Sequence, residues 1–168
     1  MDELLIIDIE ATCSDLEEIP KGEQETIEIG AVWTTAIAQY EYSKLTKPIL
    51  HPILTLFCKQ LTNIEQKEVD QADCFPVVWL DFIAWSGTEK FASWGWFDWN
   101  QLKVDCQRYN LKFPFVEHID LAKLFTRKYG KKRGHRGAMK HLGIEPDGKH
   151  HRGLDDAINI AKMVPYLI

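Results

Sequence analysis

The sequence lacks a long apolar run and is poor in cysteine. No hydrophobic stretch approaches the ~18 residues that a membrane helix needs, so no membrane span is expected. The first residues lack the basic and then apolar pattern of a signal peptide, which predicts a cytoplasmic protein. None of the four cysteines forms a CxxC pair, and we interpret them as reduced thiols rather than a zinc site or a disulfide framework.

Internal repeats, low-complexity tracts and long linkers are also absent. Hydrophobic residues make up 45% of the 168 residues and charged residues 27%, which excludes a disordered or collagen-like chain. This length is typical of one domain, so we predict a single domain over residues 1–168.

The charge is distributed unevenly along the chain. Residues 1–100 carry 18 acidic and 6 basic side chains, whereas residues 101–168 carry 7 acidic and 14 basic ones. Such a division allows an acidic, cation-binding centre beside a basic surface suited to polyanions. Scattered solvated side chains would give the same counts.

The hydrophobic pattern predicts an α/β fold. Residues 4–9 form a β-branched run that is typical of a central strand covered on both faces. Strands are also predicted over 26–34 and 41–46, as an antiparallel meander, and over 91–97. Helices are predicted over 54–60, 64–71, 76–85, 99–109, 119–129, 137–142 and 154–164.

Two acids stand at the end of the first strand. Asp8 and Glu10 are two residues apart, so strand alternation points both carboxylates to one face. Two buried acids at such a short separation repel each other unless a cation compensates their charge. Oxygen donors of this kind suit Mg²⁺ or Mn²⁺ better than zinc. The alternative is a solvated loop beyond the end of the strand.

A third acid, Asp98, follows the aromatic strand at the point where a helix begins. It can serve as the N-cap of that helix. Because sites in open α/β sheets form at the carboxyl ends of strands, it can instead face the same crevice as Asp8 and Glu10.

A histidine precedes an acid by five residues at the start of the last helix. Both His151–Asp156 and His150–Asp155 have this spacing, and helical periodicity does not choose between them. We predict that Gly153 loosens the loop, so that an imidazole can stand over the acid. The alternative is that the acids only favour the positive end of the helix dipole.

These three segments resemble, in order and spacing, the motifs of the DEDDh 3′–5′ exonuclease superfamily. The resemblance is carried by Asp8-Ile9-Glu10-Ala11-Thr12, by Asp98 after an aromatic strand, and by His151-Arg152-Gly153-Leu154-Asp155-Asp156-Ala157. It covers nearly the whole chain. The linking segments 24–30, 47–48, 57–58, 61–64 and 75–76 are similar to the subgroup of histone-mRNA and small-RNA trimming exonucleases, which includes bacterial KapD-like proteins.

The resemblance implies a ribonuclease H-like fold, with a five-stranded mixed sheet flanked by helices. It also implies two divalent cations, Mg²⁺ or Mn²⁺, with Asp8 bridging them, Glu10 and Asp156 holding the first, and Asp98 acting on the second. It selects His151 and Asp156 as the motif pair, with His151 as general base. His150 and Asp155 then have no catalytic role.

The implied activity is the release of 5′-mononucleotides from single-stranded 3′ ends, with RNA favoured over DNA and a protein partner contributing to target choice. One alternative is a DNA-directed member of the proofreading or repair type. Another is a regulatory module that binds a nucleic-acid end or a protein without cutting.

Substrate contacts are predicted in three places. Residues 127–136 hold six basic residues and two glycines, which predicts a polyphosphate-binding loop at Lys131, Lys132 and Arg133, or else a solvated charge run. Trp96, two residues before Asp98, is predicted to stack on a base. The resemblance places the terminal base and sugar against Ala11, Thr12, Cys13, Leu61 and Thr62, although Asn63 replaces the usual glycine. We interpret the remaining histidines as surface or packing residues: His51, His118, His135, His141 and His150.

Overall fold

The computed structural model describes residues 3–35 and 39–168, which form five strands and seven α-helices. The strands are β1 (Leu4–Ala11), β2 (Thr26–Thr34), β3 (Gln39–Leu45), β4 (Lys90–Ser93) and β5 (Glu117–Asp120). The helices are α1 (Leu56–Thr62), α2 (Gln66–Gln71), α3 (Phe75–Ser86), α4 (Phe97–Arg108), α5 (Leu121–Tyr129), α6 (His135–Leu142) and α7 (Gly153–Met163), and a 3-10 turn follows at Val164–Tyr166. Within these ranges, every helix is too short or too polar to cross a bilayer.

The strands form one mixed sheet in the order β3-β2-β1-β4-β5. The first three strands are an antiparallel meander, while β4 and β5 run parallel to β1. The predicted α/β fold with a five-stranded mixed sheet and flanking helices is therefore confirmed.

Alternation along β1 divides its side chains between two cores. Leu5, Ile7 and Ile9 pack with the aromatic side chains of α3 on one face of the sheet. Leu4 and Ile6 pack with α5, α6 and α7 on the other face. Asp8 and Glu10 continue this second series, so they emerge on the face that α7 covers.

Two glycines let α7 lie directly on the sheet. A Cβ atom at Gly30 would be 1.9 Å from the carbonyl carbon of Gly153, and a Cβ atom at Gly153 would be 2.8 Å from the backbone oxygen of Asp8. The prediction that Gly153 loosens a loop is therefore wrong, because this residue begins α7 at a close backbone contact. This contact places the first turn of α7 over the end of β1.

Several predicted boundaries also differ from the structure, and two of them change the account of the sheet and of Asp98. The helix predicted over 119–129 begins at Leu121, because Glu117–Asp120 pairs with β4 as the edge strand β5. The strand predicted over 91–97 ends at Ser93, so Asp98 is the second residue of α4 and not its N-cap, which is Trp96. A strand of four residues at the edge of a sheet is defined by its pairing with the adjacent strand, and the local sequence pattern does not show that pairing.

Candidate active site

One cavity of about 240 Å³ at the carboxyl end of β1 brings together the five predicted motif residues. Asp8 and Glu10 come from β1 and Asp98 from α4, while His151 comes from the turn just before α7 and Asp156 from the first turn of that helix. The remaining wall consists of Ile9, Trp94, Phe97, Gly134 and His135.

The two β1 acids are poorly solvated and close to other carboxylates. Burial raises the pKa of Asp8 well above its usual value, and the charges of Asp98 and Glu10 raise it further. Burial also raises the pKa of Glu10 from 4.5 to about 9, with added repulsion from Asp156. Neither acid forms an ion pair within the part of the chain that the structure describes. Ionisation of these two acids is therefore unfavourable unless a bound cation compensates their charge.

Asp98 is fixed in place by hydrogen bonds from the sheet. Its Oδ1 accepts the backbone N–H of Ile9 at 3.0 Å, so α4 is tied to β1 beside the two β1 acids. Burial raises the pKa of Asp98 to about 6, although the Ile9 N–H and the Ser93 hydroxyl both favour the charged form.

Asp156 has a different environment, because nitrogen donors surround it. Its Oδ2 accepts the backbone N–H of His151 at 2.7 Å, and its Oδ1 lies 3.0 Å from Nε2 of His135. Burial alone would raise the pKa of Asp156, but hydrogen bonds and charge from His135, His151 and His150 hold it below the usual value. Asp155 instead accepts the backbone N–H of Lys149 at 2.7 Å. The structure therefore directs Asp156, and not Asp155, into the cavity.

His151 has a left-handed backbone with φ of 59°, which is uncommon outside glycine. This conformation aims its N–H at Asp156. Its ring stacks on His150 at a centroid distance of 3.8 Å. Burial and the neighbouring charge of His150 lower the pKa of His151, so its imidazole is neutral near neutral pH. Its ligand atom lies within 4.8 Å of those of Glu10 and Asp156.

The interpretation of His135 as a surface or packing residue is wrong, whereas His150 is exposed as predicted but also contacts the site. His135 lines the cavity, and Nδ1 of His150 lies 3.1 Å from Oδ2 of Asp156. The His135–Asp156 contact spans 21 positions, so no local spacing could have indicated it. His51 pairs with Glu23 at the surface, and His118 packs against Trp96, as expected for surface and packing histidines.

The predicted base-binding residues lie where β1 meets α1. Cys58 donates weakly to the backbone oxygen of Ala11 at 3.8 Å, which joins the two segments. Thr12 and Thr62 are fully buried, and their hydroxyls take part in backbone hydrogen bonds. Of the five predicted residues, Cys13 and Leu61 are the partly exposed ones.

A second cavity of about 410 Å³ lies beside Trp96, whose side chain is 50% exposed. Lys132 and Lys123 also line it, so an aromatic surface and two cations occur together. Lys131 is exposed. The backbone oxygen of Arg133 accepts the Trp94 indole N–H at 2.9 Å, which anchors the basic segment beside the first cavity.

The mixed sheet and the acids at one end of it define a ribonuclease H-like nuclease fold. The RNase T exonuclease family model matches residues 5–164. The chain therefore belongs to this exonuclease family, and the resemblance stated from the sequence is confirmed.

Relatives and solved structures extend this assignment. The chain is 30% identical to ERI1 exoribonuclease 2 of Xenopus laevis over 98% of its own length and 28% of the relative's. It is 32% identical to human 3′-5′ exoribonuclease 1, over 96% of its own length and 51% of the relative's. The chain thus spans about a quarter to a half of these curated relatives. The nuclease domain of 3′hExo, a DEDDh family member bound to rAMP, superimposes with a TM-score of 0.83 at 30% identity, covering 96% of this chain and 89% of that one.

Proposed function

We propose that this chain is a metal-dependent 3′–5′ exonuclease that releases 5′-mononucleotides from single-stranded 3′ ends, with RNA favoured over DNA. The observation that carries the proposal is the convergence of four carboxylates and His151 on one cavity. The relatives are named as exoribonucleases, which supports the same reaction.

The donor chemistry of the site fits divalent cations. Asp8, Glu10 and Asp98 are carboxylates whose pKa values burial raises, and no cationic side chain pairs with them in the described ranges. Hard oxygen donors favour Mg²⁺ or Mn²⁺, and we propose that these acids and Asp156 hold two such ions. When bound, a pair of divalent ions lowers the pKa of a water molecule and neutralises charge on the phosphate.

The chain's own residues then position and deprotonate the nucleophile. His151 is the proposed general base, because its lowered pKa leaves a ring nitrogen free to accept a proton near neutral pH. The hydrogen bond between its backbone N–H and Asp156 fixes the base relative to the carboxylates. Phe97 and Trp94 contribute apolar side chains to the wall of the cavity.

The protein offers a basic and aromatic surface to the part of the nucleic acid upstream of the scissile phosphate. Trp96 and Lys132 share the second cavity, so a base can stack on the indole while a cation contacts the phosphate backbone. Lys131 and Arg133 extend this basic surface. RNA is proposed because one similar solved structure shows a 3′-exonuclease that recognises the 3′ end of a histone mRNA stem-loop. This chain matches that structure with a TM-score of 0.84 at 28% identity. A protein partner and a cytoplasmic location remain predictions from the sequence.

A digestion assay tests the proposal. RNA and DNA oligomers of one sequence, labelled at the 5′ end, are incubated with the chain and with Mg²⁺, Mn²⁺ or EDTA. We expect stepwise shortening from the 3′ end, faster on RNA, which EDTA abolishes. Faster digestion of DNA would favour the DNA-directed alternative. Metal-independent binding with intact oligomers would favour the non-cleaving module.

A further inference from the structure

Two imidazoles and one carboxylate form a second possible ligand set at the edge of the cavity. Nε2 of His135 and Nδ1 of His150 lie 3.0 and 3.3 Å from the same atom, Oδ1 of Asp156. The three ligand atoms lie within 4.8 Å of one another. The rings of His135 and His150 are nearly perpendicular, at 75°, with centroids 4.9 Å apart.

We propose that His135, His150 and Asp156 bind Zn²⁺, and that zinc bound there inhibits the exonuclease reaction. Imidazole nitrogen is a preferred zinc ligand, whereas Mg²⁺ and Mn²⁺ prefer oxygen alone. Zinc bonds of ~2.0–2.1 Å place neighbouring ligand atoms about 3.3 Å apart in a tetrahedron. The observed separations of 3.0 and 3.3 Å are close to this value.

The surroundings hold the ligands in place. The Asp156 side chain is only 1% exposed. Its Oδ1 contacts both imidazoles, and its Oδ2 accepts the His151 N–H and also lies 3.1 Å from Nδ1 of His150. His135 begins α6, while His150 lies just before α7, so the site joins two helices. One feature opposes a cation: Nε of Arg136 lies 3.9 Å from Oδ1 of Asp156. Arg136→Gln should therefore strengthen zinc binding.

Inhibition follows from the position of Asp156, and this part rests on the proposed function. Asp156 is also within 4.8 Å of ligand atoms of Glu10 and His151. Zinc would neutralise the charge that Asp156 contributes to the magnesium site. It would also fix His150, whose ring stacks on His151 at 3.8 Å, and so restrict the proposed base.

Zinc binding is measured directly by calorimetry. The chain is first freed of metal, excess Mg²⁺ is then added to occupy the carboxylate site, and ZnCl₂ is titrated into this solution. We expect one zinc per chain. His135→Asn and His150→Asn should each weaken binding at least ~10-fold, since each removes one of three ligands. The matched control is His51→Asn, because His51 also contacts a carboxylate, Glu23 at 2.8 Å, but touches no second histidine among the described residues. Circular dichroism of each variant establishes that it is folded.

The spectrum of the Co²⁺-substituted chain identifies the ligand atoms. Nitrogen and oxygen ligands give no thiolate-to-metal charge-transfer band, so such a band would overturn the site in favour of cysteine ligands. Zinc affinity that is equal in wild type and both histidine variants would also overturn it.

Zinc inhibition is then measured as the digestion rate with zinc divided by the rate of the same variant without it. His135→Asn and His150→Asn should need at least ~10-fold more zinc for half-inhibition, and His51→Asn should match wild type. Zinc binding at the histidines without inhibition would overturn the regulatory part. If the chain cuts no oligomer but still binds zinc, the metal site stands and the proposed function fails.

Discussion

Two groups of buried acids in this protein differ in what compensates their charge. Glu28 lies opposite Glu10 in the β1–β2 pair and is 1% exposed. Its carboxylate accepts hydrogen bonds from the Arg152 guanidinium at 3.1 and 3.2 Å and from the Gly153 N–H at 3.0 Å. Glu10 is 8% exposed but has no cationic partner in the described ranges. Two neighbouring acids on one sheet therefore have different roles. Glu28 belongs to a structural ion pair, whereas Glu10 is a candidate metal ligand.

The same contrast separates other acids. Asp105 is buried beneath Arg108 and accepts a hydrogen bond from Gln101 within α4. It also accepts a hydrogen bond from Thr26, which joins α4 to β2. Asp8, by contrast, has carboxylates and not cations as its nearest charges. Burial of an acid is thus weak evidence for function, whereas burial without compensation marks a site that requires an added cation.

The largest effect is expected from removing one of the four carboxylates that converge on the cavity. Asp156→Asn should lower the digestion rate ~10³-fold or more, because several kcal/mol of charge stabilisation in the transition state is lost. The matched control is Asp155→Asn, one residue earlier, whose side chain bonds the Lys149 N–H and not the cavity. Single-turnover rates at saturating Mg²⁺ measure both. Equal losses in the two variants would contradict the assignment of Asp156.

A smaller loss of activity is expected from removing the proposed general base. His151→Ala should lower kcat by about 10²-fold, the lower end of the range for one general base, while KM changes little. His51→Ala serves as the control. The rate of wild type should fall at acidic pH as His151 becomes protonated, and the variant should lose this dependence. A parallel rise in KM would show that His151 instead holds the substrate.

Breaking the compensated pair should affect folding and not chemistry. Arg152→Met leaves Glu28 buried without its cation, and we expect a loss of ~3 kcal/mol in the free energy of unfolding. The control is Lys44→Met, which breaks an exposed pair with Asp81 and should leave the free energy of unfolding nearly unchanged. Urea denaturation of metal-free chains measures both. If the two variants lose the same stability, Glu28 and Arg152 do not form the structural pair described here.

The smallest effect concerns the pH dependence of stability in metal-free chain. Because burial raises the pKa of Glu10 from 4.5 to about 9, the folded state retains a proton that the unfolded state releases within this interval. Stability should therefore fall as pH rises across it, and added Mg²⁺ should restore it. Glu10→Gln should flatten this dependence and raise Tm at the alkaline end, by ~2–4 °C for each kcal/mol gained. Glu41→Gln, an exposed strand acid, is the control, and parallel curves for wild type and Glu10→Gln would contradict the prediction.

Much of the site follows from local pattern. The two-residue spacing of Asp8 and Glu10 places both on one face of β1, and the motif order identifies the five residues that meet in the cavity. The pattern could not show that His135 contacts Asp156, nor that β5 exists, because both depend on residues far apart in sequence. It also gave no sign that Gly153 acts through close backbone contact with Gly30.

The sequence by itself determined the α/β class, the central apolar strand and the identity of the acids, because hydrophobic periodicity and side-chain chemistry are local properties. Only the tertiary structure decided which buried acids have a cationic partner. Arg152 reaches Glu28 from a position 124 residues away, whereas Glu10 receives no such partner in the described ranges. Compensation of charge depends on distances between segments, and folding sets those distances.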